Sequence, residues 1–178
     1  DYDFDGVSDA GDVFSRDISQ WNDSDGDGYG DNITGTFGDE CPNKAGSSTK
    51  DRYGCLDADD DGWSDQSDAF IGESSQWNDS DGDGYGDRLI GVRGDSCPST
   101  IGNSTEDRFG CIDSDGDGWS DEGDDLPQNP TQWRDRDGDG YGDNQSTSAT
   151  LADAFSADGT QWTDVDGDGH GDNPYGTE

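Results

Sequence analysis

The chain has no methionine, one histidine and nine lysines and arginines against 45 acidic residues, and only 25% of its 178 residues are apolar. Each shortage excludes something. Nine scattered cations at a formal charge of −36 cannot hold a phosphate backbone or an anionic lipid surface. No stretch approaches the roughly 18 consecutive apolar residues of a membrane span, so no membrane insertion is expected. There is no signal-like amino terminus, and the numbered chain reads as a mature product or a window of something longer. So little apolar surface cannot offset the chain entropy lost on folding, which by default means disorder.

Disorder predicts biased composition without positional order, and here the order is strict. Trp21 to Asp31 reads Trp-Asn-Asp-Ser-Asp-Gly-Asp-Gly-Tyr-Gly-Asp and recurs unchanged from Trp77 to Asp87, an offset of 56 residues. The same shift leads on to Trp133. The repeats divide the chain into units at 1–56 and 57–112, a third at 113–163 that lacks the cysteine-bounded block, and the start of a further unit at 164–178. Blocks that contact mainly their neighbours tolerate such a deletion. Such an array is expected to continue in a longer chain or to join other copies end to end.

Inside the units the pattern Asp-x-Asp-x-Asp-Gly-x-x-Asp occurs seven times. Calcium takes six to eight oxygens, and carboxylates at loop positions 1, 3 and 5 converge if the chain turns sharply at a glycine in position 6. The expected ligands are Asp1, Asp3 and Asp5; Asp23, Asp25 and Asp27; Asp57, Asp59 and Asp61; Asp79, Asp81 and Asp83. The later loops supply Asp113, Asp115 and Asp117; Asp135, Asp137 and Asp139; and Asp164, Asp166 and Asp168. Position 7 offers a backbone carbonyl, from Val7, Tyr29, Trp63, Tyr85, Trp119, Tyr141 and His170. Position 9 is always aspartate: Asp9, Asp31, Asp65, Asp87, Asp121, Asp143 and Asp172.

Position 12 separates two kinds of loop. Three carry a further carboxylate there, Asp12, Asp68 and Asp124, whereas the others have Thr34, Ile90, Ser146 and Tyr175. These four close their shells with water, carbonyls or a carboxylate from elsewhere, and Asp39 and Asp95 are candidates for that carboxylate. Magnesium prefers a tight octahedron that keeps several waters, and zinc wants His or Cys, so calcium fits this oxygen-only set best. Seven divalent ions would bring −36 to −22, and without them the chain should repel itself and expand.

EF-hands need flanking amphipathic helices, and no segment here has their apolar spacing. The alternation of loops such as Asp57 to Asp68 with shorter-ended loops such as Asp79 to Asp87, joined by Cys-Pro to Gly-Cys blocks, resembles the thrombospondin type 3 repeats. That resemblance spans nearly the whole chain. It implies an elongated tandem array of calcium loops with little regular secondary structure, in which ions and disulfides stand in for an apolar core.

Four cysteines allow three pairings, and the 56-residue shift that superimposes Cys41 and Cys55 on Cys97 and Cys111 favours local bridges. A zinc site is the rival, but it lacks Cys-x-x-Cys spacing. Disulfides together with calcium point outside the cell, to a cell surface. The six tryptophans are expected to serve as packing for a thin fold, with a sugar-stacking face as the alternative. Candidate N-glycosylation sequons lie at Asn22, Asn32, Asn78, Asn103 and Asn144.

No nucleophile, base or phosphate loop forms a recognisable constellation, so no enzymatic activity is expected. The expected function is that of an extracellular calcium-binding structural protein, a stiffened rod or filament segment at a cell surface. The alternative is a calcium-dependent adhesion module that binds glycans or a protein partner.

Overall fold

A computed structural model describes residues 1–177. Among them there is no helix, and the only β-structure is three isolated parallel bridges, Gly30 with Gly38, Gly86 with Gly94, and Gly142 with Ala152. The chain is mostly irregular, the fold class expected from the resemblance, and not the helix-flanked loops of an EF-hand. Aspartate, asparagine, serine and threonine side chains bond to nearby backbone and offer it an alternative to helix or sheet ladders. Among the described residues no helix is long and apolar enough to cross a membrane.

The chain divides into two compact units. The first comprises Asp1–Asn78 with Ile90–Val92, and the second Asp79–Leu89 with Arg93–Glu178. The division falls inside the second 56-residue repeat. Each unit carries one disulfide, Cys41 to Cys55 in the first and Cys97 to Cys111 in the second, each spanning 14 residues. Local pairing is therefore the observed pairing.

In place of an apolar core each unit has a polar one. Cys55 and Cys111 are the only buried apolar residues among those described. The most deeply buried side chains of the first unit are Gln20, Gln76, Asp39, Ser48 and Ser64, and those of the second are Gln132, Asp95, Asp153, Ser104 and Ser120. A buried polar group is tolerable only when its hydrogen bonds are made. The glutamines make theirs.

In the first unit Gln20 Nε2 donates to the carbonyls of Asn32, at 2.9 Å, and Thr36, at 3.2 Å, while its Oε1 accepts the Asn32 N–H at 3.1 Å. In the second, Gln132 repeats this with Asn144 and Thr150, and Gln161 with Asn173 and Thr177. Each glutamine sits just before a tryptophan and pins the stretch that follows an acidic loop. Close approach is part of the device, because a Cβ at Gly142 would collide with the Gln132 amide, as it would at Gly30 with Gln20.

Aromatic rings supply what apolar packing there is. Trp63 stacks on Trp77 in the first unit with centroids 6.3 Å apart, and Tyr141 stacks on Trp162 in the second at 5.2 Å. In each pair the first ring is at loop position 7 and the second precedes the next loop.

Candidate metal-binding loops

All seven acidic loops share a hydrogen bond between positions 5 and 7, and the five beginning at Asp23, Asp79, Asp113, Asp135 and Asp164 share a second pattern at position 1. In these five the position 1 carboxylate accepts N–H groups from positions 4 and 6: Asp23 takes those of Gly26 at 2.7 Å and Gly28 at 3.0 Å, and Asp135 those of Gly138 at 2.7 Å and Gly140 at 2.8 Å. Position 5 accepts from position 7, as in Trp63 N–H to Asp61 at 2.8 Å and His170 N–H to Asp168 at 2.9 Å. The turn requires φ near +90° at position 6, which Gly28 meets at 96° and Gly140 at 90°. Glycine alone adopts it without strain.

This winding brings carboxylates together. In the groups Asp1, Asp3, Asp5; Asp23, Asp25, Asp27; Asp57, Asp59, Asp61; Asp79, Asp81, Asp83; and Asp113, Asp115, Asp117, one oxygen from each residue lies within 4.8 Å of the others, and two further acidic groups do the same. Several of these clusters can hold a metal ion. The donors are oxygens only, the chemistry of a hard cation.

The other residues expected at the sites take different places. Position 9 carboxylates fold back on their own loops: Asp31 accepts the Ser24 N–H at 2.9 Å and hydroxyl at 2.6 Å, and Asp121 does the same with Ser114. Asp143 differs, having a buried oxygen without a hydrogen bond. The position 12 residues Asp12, Asp68 and Asp124 are buried, the last two within reach of their triad charges. Burial raises the Asp68 carboxyl, and the neighbouring Asp61, Asp59 and Asp57 charges add to the effect.

The decisive observation is the state of the inner oxygens. Asp3, Asp5, Asp12, Asp25, Asp39, Asp59, Asp61, Asp81, Asp95, Asp115, Asp117, Asp139 and Asp153 each bury an Oδ2 that has no hydrogen-bond partner, and both oxygens of Asp137 are in this state. Unpaired buried polar atoms are few in native proteins because each costs on the order of 1–3 kcal/mol, and more when charged. Here they face one another in groups of like charge. A cation among them removes both costs, so these residues fit the ion that the spacing calls for.

Position 8 separates the loop classes by a rule not drawn from the sequence alone. Where it is glycine, as at Gly30, Gly142 and Gly171, the buried glutamine occupies the space of a side chain. At Ser64 and Ser120 the hydroxyl is used: Ser64 donates Oγ–H to Asp51 at 2.6 Å and N–H at 2.8 Å, and Ser120 treats Asp107 alike. Burial alone would raise the Asp51 carboxyl, but these bonds outweigh it and hold the group well below the usual carboxylate range. Asp51 and Asp107 thus join the cysteine block to the following loop. The recurring Gln-Trp pair was the available signal for the glutamines.

The sequon side chains are unequally placed. Asn32 and Asn144 tie their Nδ2 groups to the carbonyls of Ser19 and Thr131, each at 2.8 Å, Asn22 bonds to Ser24 and Asp31, and Asn103 is exposed. No protein-family model and no curated protein matches this chain, so its assignment rests on the loops themselves.

Proposed function

We propose that the chain is an extracellular calcium-binding structural protein, a segment of a calcium-stiffened rod or filament at a cell surface. One observation carries the reading: the best-buried side chains are carboxylates, amides and hydroxyls, and the carboxylates hold unpaired oxygens that converge in clusters. A fold with this interior gains its stability from ions, as small metal domains do. Calcium fits better than magnesium because the loops offer many oxygens on flexible chain. The two disulfides suit an oxidising, calcium-rich compartment.

The tandem loops, joined by short links or by cysteine blocks, support a spacer more than a recognition site. The tryptophans at position 7 stack on their neighbours instead of forming an open platform. Limited proteolysis with and without EDTA, with images of the native particle, tests the reading. Rapid digestion and loss of any filament in EDTA are expected. Digestion unchanged by EDTA would sink it.

A further inference from the structure

We infer that Asp39, Asp95 and Asp153 are direct cation ligands, each closing a nine-residue loop from well outside it. They serve the loops beginning at Asp23, Asp79 and Asp135. The inference rests on the calcium reading above and extends it, because the sequence offers Asp39 and Asp95 only as candidates beside water and carbonyls, and does not point to Asp153.

The geometry that carries it is shared with position 12. In the loop beginning at Asp57, the Asp68 N–H donates to the carbonyl of position 8, Ser64, at 3.0 Å. Asp39 donates to Gly30 at 2.8 Å, Asp95 to Gly86 at 2.7 Å and Asp153 to Gly142 at 2.9 Å, and each of these glycines is position 8 of its own loop. The carboxylates also match. Oδ1 of Asp68 accepts the N–H of Phe70, two residues on, at 2.6 Å; Asp39 does this with Cys41 at 2.6 Å, Asp95 with Cys97 at 2.7 Å and Asp153 with Phe155 at 2.7 Å.

That leaves Oδ2. In Asp39, Asp95 and Asp153 it is buried and unpaired, in residues only 1–2% exposed. Its surroundings are the loop carboxylates: Asp27, Asp25 and Asp31 act on Asp39, and Asp139, Asp137 and Asp143 on Asp153. In the cysteine block, a Cβ at Gly54 would collide with Asp39 Oδ1 and lie 3.1 Å from Asp27 Oδ2, so backbone covers both carboxylates. The residues between position 9 and the closing aspartate are thus a loop-out, pinned by a buried glutamine, that returns the chain to the place position 12 occupies elsewhere.

Asp153 also explains the third repeat. Its next residue, Ala154, donates N–H to the Trp162 carbonyl at 3.0 Å, as Ala69 after Asp68 does to Trp77 at 3.1 Å, whereas Glu40 after Asp39 donates to Tyr53 at 3.0 Å. The closing aspartate is the junction at which either a short link or a cysteine block can begin. Omission of the block therefore leaves the metal loop whole.

The test uses the full chain and calcium alone. Unfolding free energy is measured against free calcium for wild type, Asp39→Asn, Asp95→Asn, Asp153→Asn and the charge control Asp158→Asn. Its slope against the logarithm of calcium counts the ions released on unfolding. Asparagine keeps an acceptor for the N–H two residues on, so the turn is retained. Each of the three variants is expected to lose about one ion from the slope and about tenfold or more in affinity at one site, with Asp158→Asn unchanged. A displaced midpoint with the wild-type slope would mark a merely structural role and overturn the inference. A wild-type protein without calcium dependence would overturn the calcium reading itself.

Discussion

The indole of Trp119, at position 7 of its loop, lies parallel to that of Trp133, with planes 4° apart and centroids 6.3 Å apart. The pair ties one metal loop to the approach of the next. In a unit whose only buried apolar residue among those described is Cys111, such pairs supply apolar contact that the interior lacks. Trp119→Ala is expected to cost about 1–3 kcal/mol in the calcium-loaded protein, since aromatic pairs contribute beyond their area. Denaturant unfolding checks this, and a change of a few tenths would mean that the pairs are ornamental.

The buried glutamines allow a sharper prediction. Gln132→Ala leaves the carbonyl and N–H of Asn144 without the partners they have now and the Thr150 carbonyl with Asn129 Nδ2 alone. The expected loss is roughly 2–4 kcal/mol, from stranded backbone groups more than from lost contacts. Gly142→Ala should be comparably harmful, because its Cβ would occupy the space of the same amide. Gly72→Ala, where a Cβ meets nothing within 4 Å, serves as the control in the same unfolding experiment.

The acidic loops were legible because their parts are local: the carboxylates at positions 1, 3 and 5 and the turn glycine at position 6 lie within six consecutive residues, and the three carboxylates converge. Disulfide pairing was legible from the repeat. The glutamine core was not, because a polar residue at a core position breaks the usual pattern of burial, and Gln20 and Gln132 gain their meaning only from carbonyls 12 to 18 residues away. Asp153 was hidden for a similar reason. It aligns in sequence with Asp68, but a stretch rich in serine and threonine separates it from the loop it closes, and that separation is bridged in space by Gln132 and the Gly142 carbonyl.

Acid should compete with the ion. Burial pushes the Asp124 carboxyl up to about 6, with the Asp117 and Asp115 charges adding to it. A raised carboxyl means that the metal-free fold binds more protons than the unfolded chain. The ion-free arrangement of this loop, unfavourable already, is therefore weakened further as pH rises from about 4 to about 6. Ion binding needs the ionised group, so calcium affinity should rise over that same window, with protons released on binding. Calorimetry in buffers of different ionisation enthalpy between pH 5 and 7.5 checks both signs; a flat affinity with no proton release would contradict them.

Reduction should discriminate among sites. Asp39 accepts the Cys41 N–H and Asp27 accepts the Gly46 N–H at 2.9 Å, so the loop beginning at Asp23 leans on the block closed by Cys41 and Cys55. The loop beginning at Asp79 leans likewise on the second block, with Gly102 N–H to Asp83 at 3.0 Å. Opening a bridge that spans 14 residues removes roughly 3 kcal/mol in the chain-entropy model. Calcium affinity should fall at these two loops, while the loop closed by Asp153, which borders no cysteine block, keeps its affinity. Calcium-titrated NMR of the oxidised and reduced protein would show it.

The most direct measurement follows bound calcium by equilibrium dialysis and side-chain order by near-ultraviolet circular dichroism in one titration of the full chain. If ions replace the apolar core, the tryptophan signal is absent in EDTA, grows in step with binding, and reaches its limit at about one ion for each of the seven loops. A chain that shows the same ordered signal in EDTA as in calcium, or that saturates without binding ions, would contradict the claim that the cations are what hold it together.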